Sequence, residues 1–172
     1  MTTFSLRAAQ PRDVAAIVGL ITELAEFERL THLLQVTPEA LHQHLFGDRP
    51  VVEAVVAEVA GAAAQGEATG LAGFALFFTN YSTFLARPGL YLEDLYVQAT
   101  QRGCGIGRAL LQHLAALAVA RGCGRFEWSV LDWNAPAIGF YESMGATVLP
   151  DWRICRVTGA ALRELGAGTQ RR

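Results

Sequence analysis

Hydrophobic and polar positions recur along the chain with two periods, of two and about three and a half residues, and the switches between them outline its elements. Phe4, Leu6 and Ala8 alternate as a short strand. Pro11 and Asp13 suit the start of a helix, and Val14, Ile17, Val18, Ile21, Leu24, Ala25 and Phe27 carry it at helical spacing to Arg29. Thr37-Pro38-Glu39-Ala40 predicts a second start, with Thr37 as cap and Pro38 in the first helical position. That short helix runs through Leu41 to Phe46 and stops at Gly47-Asp48-Arg49-Pro50. Val51 to Val59 and Leu71 to Phe78 read as strands, and the small, glycine-rich stretch from Gly61 to Gly70 between them as a hairpin loop without chemistry. Thr79 to Gly89 reads as a longer irregular connection, Tyr91 to Val97 as a strand and Cys104 to Arg121 as a long amphipathic helix. Arg125 to Leu131 is predicted as a strand and Ala135 to Met144 as a helix. Ala146 to Leu149 and Trp152 to Val157 follow as the last strands, and Ala160 to Leu165 as a short helix. With no repeat or linker in this interleaving, one mixed α/β domain over residues 1–172 is expected.

Composition narrows the function classes. At 172 residues the chain can bury a substantial single core, and 52% of it is hydrophobic against 17% charged. No apolar run approaches the roughly 20 residues of a membrane span, and the first residues show no basic segment leading into an apolar one. No membrane partner and a cytoplasmic location are therefore expected. A net charge of −2 without a basic cluster excludes nucleic acid as the main partner, and Arg171 and Arg172 read as a solvated tail. Cys104, Cys123 and Cys155 lack metal-ligand spacing, and His42 and His44 fall on different faces of their helix, so no metal is expected.

The chemistry concentrates in residues 90–108, where an alternating strand runs into a glycine-rich turn with a helix directly behind it. Gly103, Gly105 and Gly107 remove side chains from the turn, so backbone N–H groups and the positive end of the helix can close on an anion, most naturally phosphate. Cys104, inside the turn, reads either as a reactive thiol or as a small residue suited to a crowded bend. A dinucleotide fingerprint fails because the third glycine comes one residue early and Arg108 stands in its place, although Glu127 lies near the position of a ribose-binding acid. A P-loop fails for want of Gly-Lys-Ser/Thr.

Arg102-Gly103-Cys104-Gly105-Ile106-Gly107 has the form Arg/Gln-x-x-Gly-x-Gly/Ala. It resembles the pyrophosphate loop of the GNAT (GCN5-related N-acetyltransferase) superfamily, whose members use acetyl-CoA. Asn134-Ala135-Pro136 followed by Phe140-Tyr141-Glu142-Ser143-Met144-Gly145-Ala146 resembles the second cofactor-facing segment of the same family. Glu23 to Glu28, Leu90-Tyr91-Leu92-Glu93-Asp94, Trp133-Asn134 and Trp152-Arg153 are similar to its spermidine/spermine (diamine) and thialysine branch. The resemblance implies the acyl-CoA N-acyltransferase fold, a twisted mixed sheet flanked by helices and splayed where acetyl-CoA enters. Residues 1–60 then form a substrate-side part and residues 90–146 an acetyl-CoA-binding core. It also implies direct acetyl transfer to a primary amine in a ternary complex, and a homodimer.

Each candidate residue has a plain structural reading beside the one the resemblance implies. Tyr141 shares a helical face with Ala137, Phe140 and Met144, as a core aromatic would; the family places its general acid here, protonating the departing thiolate. Glu93 and Asp94, as strand neighbours, point to opposite faces and form no carboxylate pair unless a bulge intervenes. Glu93, sharing a face with Tyr91, Leu95 and Val97, needs a partner: an ion pair, or the substrate amine that it would deprotonate directly or through water. The resemblance sets Asp94 beside it on the substrate side. Leu95, Tyr96 and Val97 would pair with the pantetheine arm as an added strand. Arg102 and Arg108 are phosphate partners or solvated surface arginines. Asn134 caps the next helix with Pro136 just inside, and the resemblance adds coenzyme A contact.

Phe27 and Glu28 close the first long helix, where the branch gathers aromatic and acidic groups around a cation; a solvated helix face is the alternative. Glu127, Trp128, Ser129 and Trp152 occupy similar substrate-side positions. Asn80-Tyr81-Ser82-Thr83-Phe84 lacks the acid and tryptophan that polyamine acetyltransferases carry nearby, so a diamine or lysine-like amine is as well suited as a long polycation. Two other functions stay open at this point: acetylation of a protein lysine or N-terminus, and a silent acetyl-CoA sensor.

Overall fold

The computed structural model describes residues 3–59 and 70–168; residues 61–69 of the expected hairpin loop and the Arg171–Arg172 tail lie outside them. In chain order the elements are β1 (Phe4–Ala8), α1 (Val14–Glu28), α2 (Pro38–Phe46), β2 (Glu53–Val59), β3 (Leu71–Ser82), β4 (Arg87–Val97), α3 (Ile106–Ala120), β5 (Arg125–Trp128), α4 (Ala135–Ser143) and α5 (Gly159–Gly166). They fall into two compact units, Met1–Ser129 and Val130–Arg172. Among the described residues no helix is long and apolar enough to cross a membrane.

The first unit is a sheet in the order β1-β2-β3-β4-β5, antiparallel through β4 and parallel between β4 and β5. Strand alternation divides its side chains between two helical layers. Val14, Ile17 and Leu20 of α1 and Leu41 and Leu45 of α2 form one core with Ala54, Val56, Phe74, Leu76 and Tyr96. The alternate positions Val55, Ala57, Ala75 and Phe77 are buried too, as are Ile106, Leu110 and Leu114 of α3, whose helix packs along β2, β3 and β4. The mixed sheet flanked by helices is the expected architecture.

Three helix ends follow from local chemistry. Thr37 caps α2 by accepting from the Ala40 N–H at 3.2 Å, and Asn134 caps α4 by accepting from the Ala137 N–H at 3.3 Å, with proline in the first turn of both. Helix α1 ends in paired bonds from Arg29 N to the Glu26 carbonyl and from Leu30 N to the Ala25 carbonyl. In that motif the residue after the helix turns left-handed; here it is Arg29, at φ 60°, where glycine is usual.

Four expectations change. Thr79 to Gly89 is not an irregular connection: β3 and β4 continue until Ser82 pairs with Arg87, leaving a four-residue tip. Asn80, Pro88 and Gly89 read as breakers, but the β4–β5 rungs begin only at Gly89, so the N–H that Pro88 lacks is not needed there. Strand β5 stops at Trp128 rather than Leu131, and α3 begins at Ile106 rather than Cys104 because Gly105 is left-handed. Residues 146–157 form no strand, since none of the described strands pairs with them; Val148, Leu149, Trp152, Ile154 and Val157 are exposed.

One polar cluster fastens β1 to the start of α1. Arg7 donates from Nη1 and Nη2 to the buried Asp13 carboxylate at 2.6 and 2.9 Å, and from Nε to Glu58 at 2.8 Å. Burial pushes the Asp13 carboxyl up, but the Arg7 bonds and the Gln10 N–H at 2.7 Å outweigh it and hold Asp13 below the usual carboxylate range. Its stabilising contribution is present above the ordinary carboxylate pKa and is lost as pH falls through the lowered one. Asp13→Asn is expected to cost about 2 kcal/mol in urea unfolding at pH 7, with the difference from the parent shrinking as the pH falls below the ordinary carboxylate range.

Candidate active site

Strand β4 loses a neighbour halfway along. Its parallel pairing with β5 runs from Gly89 opposite Arg125 to Leu92 opposite Trp128 and ends there. On the other side the β3 rungs continue to Val97, with a break in register: Leu92 faces Phe77, Asp94 faces Leu76, and Glu93 is the extra residue of a bulge. Beyond Leu92 no described strand covers the β5-side edge of residues 93–97. The splay implied by the resemblance is therefore a bulge and a strand end at the same place.

The bulge decides which acid faces what. Phe77, opposite Leu92, lies on the α3 face, whereas Leu76, opposite Asp94, belongs to the α1–α2 core. Without the extra residue Asp94 would share the α3 face with Leu90 and Leu92. With it, Asp94 turns to the α1 side, where Glu28 closes that helix. Asp94 is half-buried and Glu93 exposed, so the expectation of Glu93 as the carboxylate held among apolar neighbours is corrected: the desolvated acid is Asp94. Burial, then the charges of Glu93 and Glu28, push the Asp94 carboxyl up to about 6. Burial also raises Glu28. Asp94 and Glu28 thus lie where burial opposes their charge, with Glu93 next to Asp94 along the strand, a natural site for a cation.

After β4 a short turn, Ala99–Gln101, leads to the glycine loop. Gly103 and Gly105 have φ of 77° and 87°, which explains glycine at both positions. Gly105 is the N-cap of α3 and offers no side-chain cap; the first bond of the helix is from Ala109 N to the Gly105 carbonyl at 3.0 Å. The N–H groups of Ile106, Gly107 and Arg108 thus lie in the first turn, ahead of the intrahelical ladder. No atom comes within 4 Å of where a Cβ on Gly103 or Gly105 would stand. The turn is open rather than crowded, with Cys104 and Arg108 exposed and Ile106 buried beneath. An anion fits this cradle.

The remaining candidates separate by their partners. Arg102 donates from Nε to the Val97 carbonyl at 3.1 Å and lies over the Phe27 and Tyr96 rings. Glu127 accepts from Asn80 at 2.7 Å and pairs with Arg125 at 3.1 Å, so its charge is balanced within the sheet. Trp128 packs on Phe126, and the Tyr91 and Ser129 hydroxyls meet at 2.8 Å. Leu95 is half-buried and Tyr96 and Val97 are buried. In the second unit Tyr141 is half-buried with its ring 5.3 Å from that of Phe140, Pro136 lies in the first turn of α4, and Trp152 is 74% exposed.

The structure thus brings together Phe27, Glu28, Asp94, Tyr96, Val97 and Arg102 within the first unit. Glu23 opens the Glu23–Glu28 segment that carries the resemblance, but its bonds from Tyr96 and Gln98 are not readable from the sequence. The Arg125–Glu127 pairing had one, since residues two apart on a strand share a face. Because the Asp94 pKa is raised, its contribution to stability is present below the ordinary carboxylate pKa and is lost as pH rises through about 6. Asp94→Asn is therefore expected to stabilise the fold at pH 7.5 by about 1–2 kcal/mol and to leave it unchanged at pH 4, read from urea unfolding at both values.

Comparison with known proteins places the chain as a whole. The acetyltransferase (GNAT) family model matches residues 21–146. An L-ornithine N5-acetyltransferase of Arabidopsis thaliana is 38% identical over 93% of this chain and 86% of its own length. A thialysine N-epsilon-acetyltransferase of Mus musculus is 38% identical over 96% of this chain and 98% of its own. Among solved structures, an integron cassette protein from the mobile metagenome of V. cholerae superposes with a TM-score of 0.76 at 24% identity, covering 96% of this chain and 99% of its own. With the family model spanning most of the chain and both relatives matched nearly end to end, this chain belongs to the acetyltransferase (GNAT) family.

Proposed function

We propose that the protein moves an acetyl group from acetyl-CoA to a primary amine of a small cationic molecule: a diamine, a polyamine, or an amino acid of the lysine or ornithine kind. The observation that carries this reading is Asp94, turned by the bulge toward Glu28 at the point where β4 loses β5. Clustered carboxylates suit an alkylammonium, and the ornithine and thialysine activities named for the two relatives are of that class.

The chemistry requires a neutral amine, a polarised thioester and a protonated leaving group. Asp94 and Glu93 receive the ammonium and take its proton directly or through water, and Glu28 and Phe27 hold the rest of the cation. The amides at the start of α3, from Ile106 to Arg108, hold the pyrophosphate, with Gly103 and Gly105 giving the backbone room, Cys104 and Gly107 contributing backbone beside them and the Arg108 side chain adding charge. The edge of Leu95, Tyr96 and Val97 pairs with the amides of the pantetheine arm. Tyr141 donates the proton to the departing thiolate, Asn134 and Pro136 serve coenzyme A, and Trp128, Glu127 and Trp152 serve the acceptor. Amine and thioester react directly in one ternary complex, and their orientation contributes much of the rate. On this reading residues 1–172 act as one N-acetyltransferase domain, in the cytoplasm, as a homodimer of the kind the diamine branch implies.

The test is acetyl-CoA-dependent thiol release with spermidine, putrescine, ornithine, lysine, thialysine and a histone-tail peptide as acceptors. Turnover on a small amine is expected, with kcat lowered about 100-fold or more in Tyr141→Phe; activity confined to the peptide would sink the assignment. Since Asp94 must be ionised to hold the ammonium, kcat/KM for the amine is expected to fall as pH drops below about 6, and Asp94→Asn to remove that limb of the profile.

A further inference from the structure

We propose that Arg102, the first residue of the glycine loop, is a positioning residue of the amine site: it clamps the end of α1 onto β4, so that Phe27 and Glu28 stand opposite Asp94. The inference rests on the amine-acetylating reading above and assigns Arg102 to the acceptor side of the reaction rather than to the phosphates.

The geometry is specific. The guanidinium carbon lies 4.9 Å from the centre of the Phe27 ring and 5.5 Å from that of Tyr96, and Nε donates to the Val97 carbonyl at 3.1 Å. Phe27 is 43% exposed, so the core alone does not fix its ring, and it is followed directly by Glu28 and the left-handed Arg29. One turn earlier a second tie joins the same two elements: Glu23 accepts from the Tyr96 hydroxyl at 3.2 Å and from the Gln98 amide at 3.3 Å. Tyr96 is common to both ties, with its hydroxyl on Glu23 and its ring under Arg102. The last two turns of α1 are thus tied to β4 by a hydrogen-bonded contact at Glu23 and a stacked contact at Phe27.

This use of the side chain needs arginine. A planar guanidinium stacks on two aromatic faces while donating from Nε in its own plane, whereas the lysine ammonium is a point charge that cannot stack as a plane and reach the carbonyl at once. The backbone of the loop leaves the phosphate role to other groups, since the amides of Ile106, Gly107 and Arg108 lie at the uncapped start of α3. Arg102 thereby links two sites that must fill together, with its backbone in the loop and its side chain under the acceptor helix.

Arg102→Lys, Arg102→Gln, Phe27→Leu and the Arg102→Lys/Phe27→Leu pair are compared in steady-state kinetics, with each substrate varied in turn. Loss of a stacked contact worth about 1 kcal/mol corresponds to a KM for the amine raised about 5-fold. That rise is expected in both Arg102 variants and in Phe27→Leu, with the KM for acetyl-CoA changed less than about 2-fold and no further rise in the pair. A rise in the acetyl-CoA KM instead, spared by lysine and seen with glutamine, marks a phosphate ligand and overturns the inference. Multiplying effects in the pair overturn it too, as does an unchanged amine KM in Arg102→Lys. Melting curves accompany the kinetics; if an Arg102 variant melts early, Phe27→Leu alone must show the same selective rise. A parent protein that transfers acetyl to none of the amines removes the proposed function itself, an outcome distinct from an active parent whose variants respond on the wrong substrate.

Discussion

A strand whose neighbour stops halfway has backbone groups to satisfy, and this constraint organises the molecule. Unpaired edge N–H and C=O groups attract another extended chain or a ligand of similar shape. Strand β4 is paired with β3 along its whole length, but with β5 only up to Leu92. Among the described strands none pairs with the edge from Glu93 to Val97, which lies in the interior of the sheet order rather than at its rim. One of its carbonyls, that of Val97, is already taken by Arg102. The same stretch of backbone runs on through a short turn into the glycine loop, so the unpaired strand edge and the anion cradle both lie within residues 93–108.

Electrostatics follow from the same irregularity. A strand in perfect register would keep Glu93 and Asp94 on opposite faces, and Asp94 would turn toward α3. The bulge brings Asp94 to the face where α1 ends, beside a second carboxylate. The result is locally unfavourable, since burial and like charge both act against ionisation. Such an arrangement is useful where a cation completes it, and the fold carries that penalty against a core built elsewhere from Phe74, Phe77, Leu90, Leu110 and Leu114.

The sequence disclosed the elements with a strong period and missed those decided by pairing. Helices α1, α2 and α4 were legible from cap residues and apolar spacing, and α3 to within two residues of its start. The β3–β4 hairpin was shortened because Asn80, Pro88 and Gly89 look like loop residues, and only the extent of β5 shows that they can stay in register. Residues 146–157 have strand-like composition without a partner among the described strands. At the site, the glycine cradle was legible because positive φ demands glycine at Gly103 and Gly105. The roles of Glu93 and Asp94 were not, because a one-residue bulge leaves no mark in composition. Nor was the guanidinium of Arg102 on Phe27, which joins residues 75 positions apart.

The left-handed Arg29 at the end of α1 bears on the entropy of the acceptor side. A glycine there would close the helix with less strain, yet it would also leave the backbone after Glu28 free to explore both halves of φ. A side chain with a Cβ has only a narrow left-handed well, so the chain leaves the helix in one direction. Some enthalpy is thereby exchanged for order; on the proposed reading, the carboxylate of Glu28 would meet an incoming amine from a backbone whose freedom was already lost on folding, not at the moment of binding.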